Sequence, residues 1–552
     1  MKNWRINTTL CLIFLFAAAI VGRLVFLQII EHDLYAALAR GQQKYFKSSF
    51  GDRGEIFLQN HSLPVATNRE YVFVYISPAE IGPEEKEKVA QVLSDNLNVD
   101  KNSLLEKLDK NSLYELIKSK LNEEDVAALK DMQLVGVHFG QEKIREYPYD
   151  DFASHLLGFV NQDGQGQYGV EEYWDGILQG KEEFAVGEKG PLGYFFPGTS
   201  KIDNMGTDLI LTIDYNIQYF AEKLLKKAKE TLGVKTGTII VMDPSSGKML
   251  ALANLPEFDP EEYSKITDFG IFQTDATQKI FEPGSVFKPI TMAAAIDQGK
   301  ITPETTYQDP GIIEISGWPI YNYEQRVYPG DITMTEVLEK SINTGAVFAE
   351  EQLGNKKFLE YVEKFGLFEK TGIDLPEEIS SQNAELKKGY EVNFATASFG
   401  QGIEMTPIQL VRAFSAIANG GKLVRPYLVE TVPEISSNII SQKTASKVAA
   451  MLVSVVENGF GKAARIPGYY VAGKTGTAQI SYSALGINKK GYSDETWQSF
   501  IGFAPAFSPK FLILIKLDNP ATKTAEYSAV PIFQELAKYI IDYYQIPPDY
   551  DR

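Results

Sequence analysis

The feature that most limits what this chain can fold into is one apolar run near its N-terminus, TTLCLIFLFAAAIVGRLVFLQII at residues 8–30. About 20 apolar residues are enough to cross the hydrocarbon core of a bilayer. Arg23 interrupts the run in its last third, where a long side chain reaches the headgroups. Lys2 and Arg5 precede it, which places the N-terminus in the cytoplasm and exports the remainder. The competing reading is a cleaved signal peptide with Ala17-Ala18-Ala19 as its cleavage region. The apolar pattern continues past that point through Leu24, Val25, Phe26, Leu27, Ile29 and Ile30, so an uncleaved anchor is expected. No second span is visible. The expected layout is residues 1–7 in the cytoplasm, 8–30 as a single-pass anchor in the cell membrane, and all later residues outside the cytoplasm.

Those later residues are too many for one ordinary core, since the chain has 552 in all. With 44% hydrophobic and 23% charged residues the composition is globular, and a net charge of -18 argues against a nucleic-acid surface. The single cysteine, Cys11, lies inside the apolar run, which leaves no intrachain disulfide and argues against a catalytic thiol. Histidine is confined to His32, His61, His138 and His155. No Ser-His-Asp triad can therefore be assembled from residues after 155, and no His/Cys cluster is available to hold zinc. No metal and no cofactor is expected.

Residues 31–230 mix short strands with charged helices. EEKEKVAQVLSDNLNV (84–99) and NSLYELIKSKLNEEDVAALKDM (111–132) carry apolar residues at three- and four-residue spacing and read as surface helices. EYVFVYI (70–76) reads as a strand. DGQGQYG (163–169) contains G-x-G-x-x-G, but the helix-like VEEYWDGIL after it is too short for a dinucleotide unit, so a Gly-rich loop is the reading. DLILTIDYNIQYFAEKLLKKAKETL (208–232) predicts a strand, Asp214 as a cap, and an amphipathic helix. TGTIIVM and KMLALAN, joined by Asp243-Pro244-Ser245-Ser246-Gly247, predict a hairpin. SFIGFAPA and KFLILIKLD read as two further strands. The closing helix VPIFQELAKYIIDYYQ places Ile532, Phe533, Leu536, Ile540, Ile541 and Tyr544 on one face. Strands at both ends with helices between them predict an α+β fold, an antiparallel sheet covered by helices.

Without histidine, an activated serine needs lysine or a carboxylate as its base. FEPGSVFKPITMAAAIDQG (281–299) offers Ser285 and Lys288, three apart and so on one face of a helix. Pro283-Gly284 makes a turn before them, and Pro289 falls in the first turn, where a missing N–H costs least. The helix is apolar nearly all round and should be buried. Its positive end favours an anion developing at Ser285. The spacing alone is weak, since Ser245 and Lys248 share it in the hairpin turn. Ser341-Ile342-Asn343 adds a hydroxyl and an amide, although Ser381/Asn383 and Ser436/Asn438 have the same spacing. Lys474-Thr475-Gly476-Thr477 follows a strand-like run. Its Gly476 clears space beside the backbone, and an acyl chain can pair with such a strand edge. Two further Lys-Thr-Gly triplets stand at Lys235 and Lys370.

The order Ser-x-x-Lys, Ser-x-Asn, Lys-Thr-Gly resembles the penicillin-binding protein and serine β-lactamase superfamily. GDRGEIF, REYPYDDFASHLLGFVNQDGQGQYGVEEYWDGILQG, GTDLILTIDYNIQ, MDPSSGKMLALANLPEFDP and FGQGIEMTPIQLVRAFSAIANGGKLVRPYL extend the resemblance over nearly the whole chain, to class B penicillin-binding proteins. Ile342 departs from the Asp of the motif, and FLQNHSLPVATN departs from the usual turn of the pedestal. The resemblance implies an elongated pedestal over 31–230, a transpeptidase domain over 231–546 and a tail at 547–552. It also selects Lys474 among the three copies. By analogy Ser285 attacks the D-Ala-D-Ala carbonyl of a peptidoglycan stem peptide and Lys288 takes its proton. Ser341 relays a proton to the leaving D-Ala, and Asn343 holds the substrate amide. Lys474, Thr475 and Thr477 bind the terminal carboxylate, with Gly476 between them. The implied partners are stem peptides, β-lactams as covalent inhibitors, a SEDS-type glycosyltransferase and other divisome proteins. The block GFVNQDGQGQYGVE is nearer the division-specific branch. A hydrolase of the carboxypeptidase or β-lactamase type, and a non-catalytic penicillin sensor or divisome scaffold, remain as alternatives.

Overall fold

The computed structural model describes residues 52–180, 205–430 and 433–551, together with a few flanking strands and four positions of the N-terminal run. The predicted anchor at 8–30 otherwise lies outside the described residues, and among the described residues no helix is long and apolar enough to cross a membrane. Two compact units are present, residues 1–54 with 179–207, and residues 55–178 with 208–552. In the first, Lys44–Phe50 pairs antiparallel with Glu182–Lys189, which pairs in turn with Phe195–Phe196.

In the second unit, β1 (Ile56–Leu58) and β2 (His61–Ile76) form a hairpin. The far half of β2 pairs with β3 (Glu115–Leu121) on one side and β4 (Val137–Glu146) on the other. β5 (Leu209–Leu211) adds parallel to β1. Helices α1 (Lys86–Leu97), α2 (Lys101–Leu108) and α3 (Glu123–Asp131) bury Leu93, Leu97, Leu104, Leu108 and Leu129 against Val74 and Ile76 of β2. The helix expected over 111–132 is instead β3 followed by α3. Its apolar residues satisfy either period, and pairing along β2 decides for a strand. Asn122 then starts a separate helix, its side chain accepting from Asp125 N at 2.7 Å. VEEYWDGIL likewise divides, into Gly169–Tyr173 and Asp175–Leu178. The Gly-rich loop before it is a short hairpin, with Phe159–Val160 paired to Gly166–Gln167.

α4 (Tyr215–Leu232) starts at Asp214, whose carboxylate accepts from Asn216 N and Ile217 N. It leads into the hairpin β6 (Gly237–Met242) and β7 (Met249–Leu255). A largely helical stretch follows: α5 (Lys288–Asp297), the hairpin β8 (Ile312–Ile315) and β9 (Trp318–Tyr321), α6 (Met334–Glu339), α7 (Asn343–Leu353), α8 (Pro407–Ala418) and α9 (Gln442–Asn458). The chain closes with β10 (Ala472–Ser481), β11 (Tyr492–Ala504), β12 (Phe511–Asp518) and α10 (Ala529–Tyr543).

These strands make a five-stranded sheet in the order β7-β6-β12-β11-β10, antiparallel throughout. On one face Ile239, Val241, Ile513 and Ile515 meet Leu224 and Leu225 of α4 and Phe533, Leu536 and Ile540 of α10. On the other, Ile240, Met242, Leu512 and Leu514 meet Ile290 of α5, Phe414 of α8 and Leu452 of α9. Because both faces are covered, β6 is buried at every position, which is why its sequence reads as a continuous apolar run rather than an alternation. Tyr544, assigned to the apolar face of the last helix, is 40% exposed. Its polar tip reaches Asp214 Oδ2 at 3.4 Å.

The junction between residues 55–178 and the sheet combines apolar packing of Leu156, Leu157 and Phe159 against Leu252, Phe258 and Phe272 with polar contacts at its margin. Ala153 N donates to Glu222 Oε1 of α4 at 2.7 Å, and Lys226 pairs with Asp151 at 2.8 Å. His155 Nε2 donates to Ile271 O at 2.9 Å, and burial lowers its pKa to about 4.

Candidate active site

The turn Gly284–Phe287 is a 3-10 helix that runs directly into α5 and carries Ser285. Gly284 has φ +60, and a Cβ there would lie 2.9 Å from Ala478 Cβ of β10. Its N–H donates to Gly400 O at 2.9 Å, and Phe281 and Met405 exchange backbone hydrogen bonds at 2.9 and 3.1 Å, so the turn is tied down from both sides. Ser285 is half-buried and lines a cleft of about 790 Å³ with Ser341, Asn343, Thr475, Thr477 and Gln479.

Lys288, in the first turn of α5, is fully buried. Its Nζ donates to Ser341 O at 2.6 Å, to Asn343 Oδ1 at 2.8 Å and to Ser341 Oγ at 3.3 Å. Ser285 is not among its partners. Three acceptors fill the three N–H directions of an ammonium, so the expected Ser285–Lys288 contact is absent from this resting geometry. Catalytic hydrogen bonds are commonly loose before substrate binds.

Lys474 on β10 is also fully buried. Its Nζ donates to Ser341 Oγ at 2.9 Å and to Thr475 O at 3.1 Å. The Ser341 hydroxyl therefore stands between two lysine amines. Its own residue has φ +53, a conformation that L residues rarely adopt outside sites that hold it in place. Asn343 opens α7, and its Nδ2 donates to Tyr321 O at 2.8 Å.

Among the described residues neither lysine has a carboxylate partner. Burial therefore acts uncompensated on both ammonium groups. Lys288 is held well below the ordinary lysine value, first by burial and then by the Lys474 cation. Burial lowers Lys474 to about 7. A neutral amine poised beside a hydroxyl is a competent base near neutral pH.

β10 is the edge strand of the sheet. Gly476 is opposite Ser499 in its register, and a Cβ on it would meet Ser499 Oγ at 2.5 Å, Val286 Cγ1 at 2.9 Å and Pro283 O at 3.1 Å. Only glycine lets this strand lie against the turn that carries Ser285. Thr475 and Thr477, two apart on the strand, both line the cleft, and the Lys474 side chain reaches Ser341. Thr477 Oγ1 accepts from Ala525 N at 3.2 Å.

The remaining copies of the motifs stand elsewhere. Lys235 is exposed at a second cavity of about 750 Å³, and Gly237 opens β6 inside the sheet. In the third copy, Thr371 N and Oγ1 donate to Glu378 Oε1 at 2.7 and 2.6 Å. Ser245 is held by Asp243, and Ser381 donates to Glu404. The carbonyl of Tyr321, which holds the Asn343 side chain, has no signature in the sequence. No side-chain pattern can signal a carbonyl whose use depends on the loop around it.

The chain is similar to known proteins over most of its length. The penicillin binding protein transpeptidase domain matches residues 237–538, and the penicillin-binding protein dimerisation domain matches residues 48–201. Stage V sporulation protein D of Bacillus subtilis is 32% identical over 525 residues, covering 90% of this chain and 79% of the relative. Peptidoglycan D,D-transpeptidase FtsI of Buchnera aphidicola is 29% identical over 563 residues, covering 99% of this chain and 96% of that one. The crystal structure of penicillin binding protein 3 from Mycobacterium tuberculosis with aztreonam superimposes with a TM-score of 0.69 at 26% identity, covering 91% of this chain and 98% of that one. A dimerisation domain followed by a transpeptidase domain, with two buried lysines meeting at Ser341 beside Ser285, places this chain in the class B penicillin-binding protein family, the peptidoglycan D,D-transpeptidases.

Proposed function

We propose that the D,D-transpeptidase reaction of this chain runs through an acyl-enzyme at Ser285. The observation that carries the reading is the pair of buried amines on Ser341 in the floor of the Ser285 cleft. A neutral Lys288 has two N–H groups, enough for Ser341 O and Asn343 Oδ1, and a lone pair left to take the Ser285 proton as Oγ attacks the D-Ala-D-Ala carbonyl. The backbone N–H groups of Ser285 and Thr477 are the oxyanion donors by family analogy. Lys474 remains the cation for the terminal carboxylate, with Thr475 and Thr477, while Gly476 lets the donor strand lie close. Ser341 then carries a proton to the departing D-Ala, and Asn343 holds the substrate amide. An amine of a second stem peptide resolves the ester and forms the cross-link. β-Lactams enter by the same route. The hydrolytic alternative needs a base for water; among the described residues no carboxylate hydrogen-bonds Lys288, Ser341 or Lys474, and the carboxylates that line the cleft are Glu324, Asp494 and Glu526.

The proposed layout retains an anchor at 8–30, a pedestal over 31–230 and a catalytic domain over 231–546 on the outer side of the cell membrane. Septal wall synthesis with a SEDS-type partner is the proposed setting, supported by the block GFVNQDGQGQYGVE at 158–171. Labelling with fluorescent penicillin tests the chemistry: wild type should label on the peptide containing Ser285, and Ser285→Ala should not. Labelling elsewhere overturns the assignment. A fluorescent fusion that spreads evenly over the cell wall, rather than collecting at division sites, overturns the septal role.

A further inference from the structure

Ile342 occupies the N-cap position of α7 and makes no side-chain cap hydrogen bond. That position normally supplies an oxygen to the orphan N–H groups of the first turn. Isoleucine has none, and Ile342 is fully buried in the core, with its side chain committed to packing. The missing acceptor comes from another segment. Asn322, buried in the loop after β9, accepts from Asn343 N at 3.0 Å and Thr344 N at 3.1 Å through Oδ1. Its Nδ2 donates to Asp309 Oδ1 and Oδ2 at 3.1 and 3.0 Å and to Arg326 O at 3.1 Å.

Asp309 makes this orientation obligatory. Its buried carboxylate also accepts from Gly311 N at 3.0 Å, Tyr328 N at 2.9 Å and Thr344 Oγ1 at 2.7 Å. A carboxylate accepts only, so the amide of Asn322 must turn Nδ2 toward it and Oδ1 toward α7. One loop thus grips Asn343 twice, its backbone through Asn322 and its side chain through Tyr321 O. The remaining atom of that side chain, Oδ1, faces Lys288 Nζ.

We propose that Asn322, oriented by Asp309, is a positioning residue for acylation: it caps α7 from outside the helix and so aims the Asn343 carboxamide at Lys288. The proposal rests on the reading of Ser285 and Lys288 given above and goes beyond the three motifs. It assigns to Asn322 the duty that Ile342 cannot perform.

The test is the acylation rate constant with benzylpenicillin per active site, followed through its acid limb on the full chain. The active fraction is counted by fluorescent-penicillin stoichiometry. Asn322→Asp keeps the shape and an acceptor for α7 but sets a second carboxylate against Asp309. Asp309→Asn removes the charge that orients the amide. The double variant restores one carboxylate facing one amide in reversed order. Each single variant should acylate ~100-fold more slowly, the loss typical of ~1 Å misplacement. Because Lys288 then loses the Asn343 Oδ1 acceptor, one of the three that favour its charged form, the acid limb should move to lower pH. The double variant should recover at least ~10-fold over the slower single, since the sites are in contact. If a single variant does not fold, Thr344→Val, which removes one hydrogen bond to Asp309 at constant shape, should shift the limb in the same direction. Wild-type rates per active site, a limb that stays in place, or strictly multiplicative effects in the double variant overturn the proposal. Peptide mapping of the labelled wild type separates the two readings. Label off Ser285 overturns the nucleophile assignment, whereas label on Ser285 with unaffected variants overturns only the role of Asn322.

Discussion

Lys474 is the residue from which most follows. Its pKa of about 7 comes from burial, so a carboxylate-binding cation in the cleft is lost as pH rises through neutrality. Burial lowers Lys288 as well, and the Lys474 cation pushes it further the same way, so Lys288 is taken as the first of the two to lose its proton. Acylation by a penicillin should therefore follow a bell, rising as Lys288 deprotonates and falling through about pH 7 as Lys474 does. A stopped-flow pH profile checks it, and a flat alkaline side would remove Lys474 from carboxylate binding. The same shift affects stability. Between the folded value of about 7 and ~10.4 unfolded, the unfolded chain binds more protons, so stability rises with pH across that window. Below it the buried cation costs up to ~4–5 kcal/mol. Lys474→Met should accordingly abolish labelling yet raise the melting temperature at pH 7 by several degrees. A lower melting temperature would mean that its hydrogen bond to Ser341 outweighs desolvation. At this scale the sequence was informative about residue types and silent about directions. Ser285, Lys288, Ser341, Asn343 and Lys474 were named from order and spacing together with the family resemblance; hydrogen bonds join the last four, and Ser285 lines the same cleft. That Lys288 would face Ser341 and Asn343 rather than Ser285 depends on the left-handed backbone at Ser341, which no local pattern announces.

Gly476 shows the same limit for whole elements. A glycine in a strand signals close approach, but what approaches is the turn Pro283–Val286, nearly 200 residues away in sequence, as 476 − 283 = 193. Gly476→Ala should push β10 from that turn and reduce acylation by ~100-fold or more with the fold retained, measured as the rate constant per folded molecule. A near-wild-type rate would show that Ser499 and Val286 can give way. Elements with an unbroken apolar run or one clear helical period were legible: β6, β7, β12, α4 and α10 stand where the patterns put them. The segment 111–132 was not, because Leu113, Leu116, Ile117 and Leu121 suit a helix face as well as a strand. The deciding partner, β2, lies some forty residues upstream, as 115 − 76 = 39. Asn322 was equally hidden, since its use as a cap depends on a helix that starts beyond two other elements.

At the scale of the molecule, the joint between residues 55–178 and the sheet carries a titratable group. Burial raises Glu222 from 4.5 to about 7. Between those values the folded chain holds the extra proton, so stability falls as pH rises through the window and the loss is complete above about 7. Glu222→Gln should leave the melting temperature unchanged at about pH 4 and raise it at about pH 8, by up to roughly 3 kcal/mol of stability. Equal shifts at both values would contradict a buried carboxylate. Thermal unfolding at the two pH values decides. A last consequence concerns the sheet, which ends at β10 with a rim that no further strand among the described residues pairs. Every protein built this way lives with a vacancy shaped like a β-strand, and any extended segment with small side chains is a rival for it. Restricting occupancy to the right peptide then falls to the walls of the cleft, so the selectivity of the molecule is written in its loops while its reactivity is written in its core.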